Sequence, residues 1–305
     1  SLFIRKINKE NLKLKLLIIG VSGFIGNHFL SHLLKKKINI IGTSRKKISD
    51  SGNFRNITLD VTKKKDFIKL ENYKFDYIIY LAAFSSPSKS VKNKNKALSI
   101  NIGGLRNTIA YYKKFTPKAK FIYVSSSAVY ENVKNKIKFK PIKNLPNQIT
   151  PYGYSKYQSE KFIERQCFSN NYMIIRPFAI IGANKYNDVC SDIIQQFINS
   201  GLKKNIKISL GNDKTVRDFV YIDDFTKGLE VLMKKGKHKG IYNFSSGIPT
   251  KITQLCVIAS KLLKKKYLIK KNKKFIRNID TNYLVGDNQK MIKLGCSLKV
   301  NLKSA

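Results

Sequence analysis

The chain has 305 residues, with 60 Lys or Arg against 18 Asp or Glu and a formal net charge of +42. It is long enough to bury a real core in one large α/β domain or somewhat more, and no apolar run approaches the ~18 residues of a membrane span. Its four cysteines, Cys167, Cys190, Cys256 and Cys296, lie too far apart for a metal site; they read as free thiols in a reducing, cytoplasmic setting, and no metal is expected.

A charge this large raises nucleic acid or an anionic membrane surface as a partner. Yet only eight of the basic residues are arginine, Asn and Ile are also abundant, and the lysines run from end to end without forming a stripe. That pattern fits a bias toward residues with A+T-rich codons. The expectation is weak, salt-sensitive binding to polyanions and no specific nucleic-acid partner. The few arginines are then informative, because a planar, bidentate fork is what lysine cannot supply; Arg45, Arg176, Arg217 and Arg277 all fall in the motifs below. The first fourteen residues are basic and lack the apolar core of a secretory signal. The first residue is Ser rather than Met, which leaves the natural start open.

Leu16 to Ile19 form an apolar run suited to a central parallel strand. Gly20, Gly23 and Gly26 follow at three-residue spacing, and Phe24, Ile25, Phe29, Leu30, Leu33 and Leu34 then mark one face of a helix. Strand, glycine turn and helix together predict a dinucleotide site, with the pyrophosphate at the helix N-terminus. Residues 38–42 read as the second strand, running into Thr43-Ser44-Arg45-Lys46-Lys47. A carboxylate at that point would bind a ribose 2′-hydroxyl, whereas cations accommodate a 2′-phosphate. NADP(H) is therefore favoured, with NAD(H) as the alternative.

Residues 56–61 read as a third strand ending at Asp60, and Tyr77 to Leu81 as a fourth, running into Ala82-Ala83. A long helical stretch over 93–114 holds Asn101 and Gly103-Gly104; Phe121 to Val124 form a fifth strand ending in Ser125-Ser126-Ser127. Residues 131–150 read as a long polar loop. Pro151 opens a helix to about Cys167 that carries Tyr152 and Lys156 four apart on one face, and 172–177 form a sixth strand. Beyond 182 the elements shorten: a helix near 189–199, a strand near 206–210, the run Val216 to Asp224, a helix near 225–234 and a strand at Tyr242 to Phe244. The expected fold is α/β, a Rossmann-type doubly wound parallel sheet with a smaller interleaved C-terminal region. Its expected division is a dinucleotide-binding part over 12–182 and a mainly substrate-binding part over 183–305, with some segments returning to the sheet.

A Tyr and a Lys one turn apart, after a dinucleotide turn and beside a serine cluster, suit hydride chemistry at a carbinol. A phenol ordinarily titrates near 10. A neighbouring ammonium and a cationic nicotinamide are expected to lower it toward use as a base, while Ser126 hydrogen-bonds the same substrate oxygen.

The chain resembles the extended short-chain dehydrogenase/reductase family, in its nucleotide-sugar epimerase/dehydratase branch. The resemblance runs from about residue 15 to 300. It rests on the glycine triplet, Asp60-Val61, Leu81-Ala82-Ala83, the segment Ser125 to Tyr130, Tyr152-x-x-x-Lys156, Arg176-Pro177, the segment Arg217 to Asp224, and Arg277-x-x-Asp280. It implies Tyr152 as acid/base, Lys156 as the residue that holds the cofactor ribose and tunes Tyr152, and Ser126 as their partner. It implies a cofactor cradle of Gly20, Gly23, Phe24, Ile25 and Gly26, with Ser44, Arg45, Asp60, Val61, Leu81, Ala82, Ala83 and Pro177. Arg217 and Arg277 match arginines that meet the substrate's phosphates or base. It implies a nucleotide-sugar substrate and a homodimeric assembly. A 4,6-dehydratase would carry two carboxyl residues after Ser126; Ser127 and Ala128 stand there instead. The usual final helix is not evident after Leu294-Gly295-Cys296. The expected activity is reduction of a 4-keto-6-deoxy nucleotide sugar, the alternative a 4-epimerase, and a third reading a non-catalytic nucleotide- or RNA-binding member.

Overall fold

Alternation along a short apolar run decides the centre of the molecule. In the computed structural model, which describes residues 14–131, 138–141, 150–167, 169–186, 188–273, 281–299 and 302, Leu16 to Ile19 are completely shut off from water. They lie in the first strand, β1 (Leu14–Ile19), followed in chain order by β2 (Ile38–Ser44), β3 (Phe54–Thr58), β4 (Tyr77–Tyr80), β5 (Lys120–Val124), β6 (Tyr172–Pro177) and β7 (Ala179–Ile181). Then come β8 (Asn205–Leu210), β9 (Val216–Arg217), β10 (Phe219–Tyr221), β11 (Gly240–Phe244), β12 (Thr250–Lys251), β13 (Lys266–Lys271) and β14 (Tyr283–Leu284). The α-helices are α1 (Phe24–Leu33), α2 (Pro87–Lys92), α3 (Lys94–Leu98), α4 (Gly104–Phe115), α5 (Pro151–Gln166), α6 (Val189–Asn199), α7 (Ile222–Lys235), α8 (Ile252–Leu263) and α9 (Gln289–Ile292).

The main sheet has seven strands, all parallel, in the order β3-β2-β1-β4-β5-β6-β11. It is a Rossmann-type doubly wound sheet, and the winding reverses between β1 and β4, where such sheets open a crevice. Side chains of a strand alternate between faces, so Leu16 and Ile18 join a core with Phe29 and Leu33 of α1 and Phe225 and Leu229 of α7. Leu17 and Ile19 join a second core with Leu105 and Ile109 of α4 and Ile163 of α5. Burial on this scale is worth about 1.5–3 kcal/mol per large aliphatic side chain, which fixes the register of β1 against slippage.

A third core lies outside the sheet, where Ile193 and Phe197 of α6 meet Ile206 and Ile208 of β8 and Leu255 and Cys256 of α8. Around it stand three small sheets: β7 beside β10, β8 beside β13, and β9 between β12 and β14. Helix α8 and strands β12 to β14 were not foreseen from the sequence. Their segments are short and lysine-rich, so periodicity is a poor guide there.

Other elements depart from expectation in ways that bear on the cleft. Strand β3 ends at Thr58, opposite Ser44, because β2 ends there. Asp60 therefore lies beyond the strand, its amide donating to Asp66 Oδ2 at 2.9 Å. The helical stretch over 93–114 is interrupted by a π-helical turn, Ser99–Gly103. Helix α7 starts at Ile222, three residues early, with Asp223 and Asp224 in its first turn, where acidic side chains suit the helix dipole. A short helix, α9, stands near the C-terminal end where none was expected. Among the described residues no helix is long and apolar enough to cross a membrane, no His, Cys, Asp and Glu cluster could hold a metal, and the four cysteines are free thiols.

Candidate functional site

The chain leaves β1 through Gly20 at φ 91°, a left-handed conformation open to glycine at little cost. A Cβ there would lie 2.7 Å from the Ala82 nitrogen, and one at Gly26 would lie 2.5 Å from the Gly20 oxygen. The turn thus presses against the end of β4 and against the first turn of α1. Gly23 is the N-cap of α1, without a side-chain cap and with no acidic residue in the first turn. The first amides of a helix have no intrahelical acceptor; here no capping side chain supplies one and the turn lines the cleft, so the residues fit a pyrophosphate.

At the end of β2 the Ser44 hydroxyl is buried, bonded to Asn56 Oδ1 at 2.9 Å and to the Lys46 carbonyl. Arg45 is exposed and lines the cleft. Asp60 Oδ1 accepts from Thr62 N at 2.9 Å and Thr62 Oγ1 at 2.7 Å. Partial burial pushes its carboxyl up, but the Thr62 hydrogen bonds and the charges of Lys63 and Arg45 outweigh that and hold it below its ordinary value. The Val61 carbonyl accepts from Asn107 Nδ2 at 2.9 Å. Leu81, Ala82 and Ala83 follow β4, and Pro177 ends β6; all line the same cleft.

Helix α5 carries the reactive groups on its buried face. Thr150, its N-cap, accepts from Gly153 N at 3.0 Å. Tyr152 is 8% exposed, with Ser126, whose Oγ accepts from Ala128 N at 3.1 Å, among the groups acting on its phenol. Burial pushes the phenol up to about 12; Ser126 pulls it down and the Glu131 charge pushes it further up. One turn on, Lys156 donates to the Val124 carbonyl at 2.8 Å and sits 4.9 Å from the Tyr123 ring centre. Burial brings its ammonium down to about 7, against the opposing pull of Glu160. The sequence-based expectation that Lys156 lowers the Tyr152 pKa is thus corrected, so far as protein groups go: desolvation of the phenol is the larger effect.

Around this pair lies a buried polar network in which Glu160 and Asn243 were not singled out from the sequence, and in which the motif residues Ser125, Tyr130 and Arg176 find their partners. Glu160, one turn past Lys156, receives Arg176 Nη2 at 2.6 Å, Arg176 Nε at 3.0 Å and Ser125 Oγ at 2.5 Å. Arg176 also donates to the Tyr130 hydroxyl at 2.8 Å, which donates to Asn243 Oδ1 at 2.8 Å. The i+4 spacing from Lys156 to Glu160 is visible in the sequence, but its partners come from β6 and from the residue after β5. Asn101, in the π turn, accepts from Phe84 N at 2.7 Å and donates to Ser155 Oγ at 2.7 Å, joining the segment after β4 to α5.

On the far wall Arg217 donates to the carbonyls of Val216 at 2.9 Å and Thr281 at 2.6 Å and lines the cleft. Its neighbour Asp218 turns into the protein and accepts from Ser246 N, Ser246 Oγ, Gly247 N and Gly286 N over 2.6–3.2 Å. Arg277 and Asp280 lie outside the described residues. Every other candidate residue lines one cleft of about 2090 Å³, well above the roughly 300–1,000 Å³ of a site for one small molecule. The cleft has room for a dinucleotide and a second large ligand, with a phenol, a hydroxyl and an ammonium between them.

Comparison with known proteins agrees with that arrangement. Residues 16–245 match the model of the NAD dependent epimerase/dehydratase family. The chain is similar to a dTDP-D-glucose 4,6-dehydratase of Dictyostelium discoideum, 30% identical over 78% of this chain and 60% of the relative's length. It is 24% identical to a GDP-6-deoxy-D-talose 4-dehydrogenase of Aggregatibacter actinomycetemcomitans, over 92% of this chain and 91% of that protein. Among solved structures, a UDP-glucose 4-epimerase of Thermotoga maritima with UDP-glucose superposes with a TM-score of 0.81 at 22% identity, covering 95% and 96% of the two chains. RMD from Pseudomonas aeruginosa, complexed with NADPH, gives 0.81 at 20% identity, covering 96% of each. At such identities the structures speak for the fold alone.

Proposed function

The chain belongs to the NAD dependent epimerase/dehydratase family, and we propose that within it the protein is an enzyme that reduces a 4-keto-6-deoxy nucleotide sugar with NADPH. The observation that carries this reading is the end of β2, where Ser44 and exposed Arg45 stand in place of a carboxylate. A cation there suits a ribose 2′-phosphate, and NADP(H) suits net reduction. The relative with a 4-dehydrogenase name, matched along nearly its whole length, and a neighbour complexed with NADPH support it.

A bound reduced cofactor would supply the hydride. The Tyr152 phenol passes its proton to the carbonyl oxygen that becomes the new hydroxyl, while Ser126 hydrogen-bonds that oxygen and keeps it in line. Lys156 holds the cofactor ribose, with Asp60 and Val61 at the adenine end. Arg217 and Arg277 meet the sugar nucleotide's phosphates or base. In this reading residues 12–182 bind the dinucleotide, 183–305 mainly bind substrate, and the enzyme works as a cytoplasmic homodimer.

The second reading is a 4-epimerase, for which the same Ser126, Tyr152 and Lys156 would serve and which a Thermotoga maritima neighbour exemplifies. Dehydration is disfavoured although one relative bears a dehydratase name, because Ser127 and Ala128 offer no carboxyl group for water elimination. The test is a panel of UDP-, GDP-, dTDP- and CDP-sugars and their 4-keto-6-deoxy forms, assayed with NADPH and NADH. NADPH oxidation with a 4-keto-6-deoxy sugar is the expected result. Retained NAD, UDP-glucose/UDP-galactose interconversion and no NADPH oxidation would give the case to the epimerase.

A further inference from the structure

Glu131 follows the 3-10 turn Ser127–Tyr130, and its carboxylate crosses to the start of α5. Its Oε2 accepts from Thr150 N at 3.1 Å and Thr150 Oγ1 at 2.6 Å, and Thr150 Oγ1 in turn accepts from Gly153 N. The fit is close: a Cβ at Gly153 would lie 2.6 Å from the Ala128 carbonyl oxygen and 2.7 Å from Glu131 Oε2, so the backbone contact requires a small residue beside Tyr152 and the carboxylate packs against it. On its other side the Glu131 carbonyl accepts from Thr281 Oγ1 at 2.6 Å, and the Thr281 carbonyl accepts from Arg217 Nη1 at 2.6 Å. Hydrogen bonds thus run without a break from Arg217 to the first turn of the Tyr152 helix.

We propose that Glu131 is a positioning residue for Tyr152: its carboxylate seats the first turn of α5 through Thr150 and sets a negative charge beside the phenol, while its carbonyl, through Thr281, ties that turn to Arg217. This rests on the reading of Tyr152 as the acid/base. Among the described residues, titratable groups on other elements that act on the phenol include Glu131 and, on β5, Tyr123; Lys156 and Glu160 share its helix, and charged residues including Arg45, Asp60, Lys89, Lys96, Lys185, Asp188, Asp192 and Arg217 line the same cleft. Glu131 is the carboxylate that pushes the phenol toward its protonated form. A phenol kept protonated through the neutral range suits proton donation to a carbonyl oxygen, the direction proposed above.

The charge and the clamp separate experimentally. Glu131→Gln keeps a side-chain oxygen to accept both Thr150 bonds and removes the charge; Glu131→Ala removes both. The ionisation of Tyr152 is read by ultraviolet difference titration of the tyrosinate band, subtracting Tyr152→Phe, with NADP+ and in parallel NAD+ present. That reading needs no substrate, so it stands even if no nucleotide sugar is turned over and the proposed reaction fails. The Tyr152 midpoint should move to lower pH by roughly half to one unit in both variants. With substrate, Glu131→Ala should also lose turnover beyond Glu131→Gln, and Thr281→Val should raise KM while leaving the midpoint in place. A midpoint unmoved in whichever neutral variant folds overturns the proposal, as does a shift in Glu131→Ala but not in Glu131→Gln.

Discussion

Arg176 grips Glu160 with two hydrogen bonds, Nε to Oε1 at 3.0 Å and Nη2 to Oε2 at 2.6 Å, and neither residue is more than 2% exposed. The pair joins β6 to the helix bearing Tyr152 and Lys156. Removing one partner of such a pair strands a buried charge, at a cost of about 3–5 kcal/mol. Arg176→Met should therefore lower stability by that order in urea unfolding. Arg176→Lys should recover only part of it, since an ammonium cannot make the fork. A double variant, Arg176→Met with Glu160→Leu, should be more stable than Arg176→Met alone; equal or lower stability would argue that the charge is not the cause.

The phenol at 152 is expected to be needed for turnover and not for binding. Tyr152→Phe should reduce kcat roughly 10²–10⁴-fold, while cofactor affinity measured by fluorescence stays within a few-fold of the unmutated protein. Retained activity would place the acid/base elsewhere.

Lys156 has a stability signature with a definite sign. Burial lowers its ammonium from 10.5 in the unfolded chain to about 7. Between those values the unfolded chain binds the extra proton, so this group's penalty on folding is full below pH 7 and fades as pH rises toward 10.5. Lys156→Met should accordingly raise Tm most at pH 6, and the gain should shrink steadily by pH 9.5 while activity is lost throughout. A gain that grows with pH would contradict this account of Lys156.

Arg45 is expected to set the choice of cofactor. The unmutated protein should bind NADPH more tightly than NADH, and Arg45→Asp should reverse or abolish that order, because a carboxylate repels the 2′-phosphate and accepts the 2′-hydroxyl. Isothermal titration with both cofactors measures it. Equal affinities before mutation would remove the basis for favouring NADPH.

Short-range pattern was enough for much of this protein. The side chains of β1 alternating between two cores, the left-handed Gly20 and the i, i+4 placement of Tyr152 and Lys156 all depend on residues within a few positions of one another, where strand and helix periodicity dictate direction. The sequence by itself therefore determined the parallel sheet, the glycine turn and the pairing of Tyr152 with Lys156 on one helix face. It could not determine contacts made across the sheet. Glu131 meets Thr281, Arg176 meets Asn243 through Tyr130, and Asp218 braces Gly286 rather than facing the cleft with Arg217. Such partners lie far apart in the chain and come together only once strand order and loop packing are set. The same holds for acidity. How far Tyr152 rises and Lys156 falls depends on how much water the surrounding elements exclude, and desolvation is a property of the packed structure that no motif spells out.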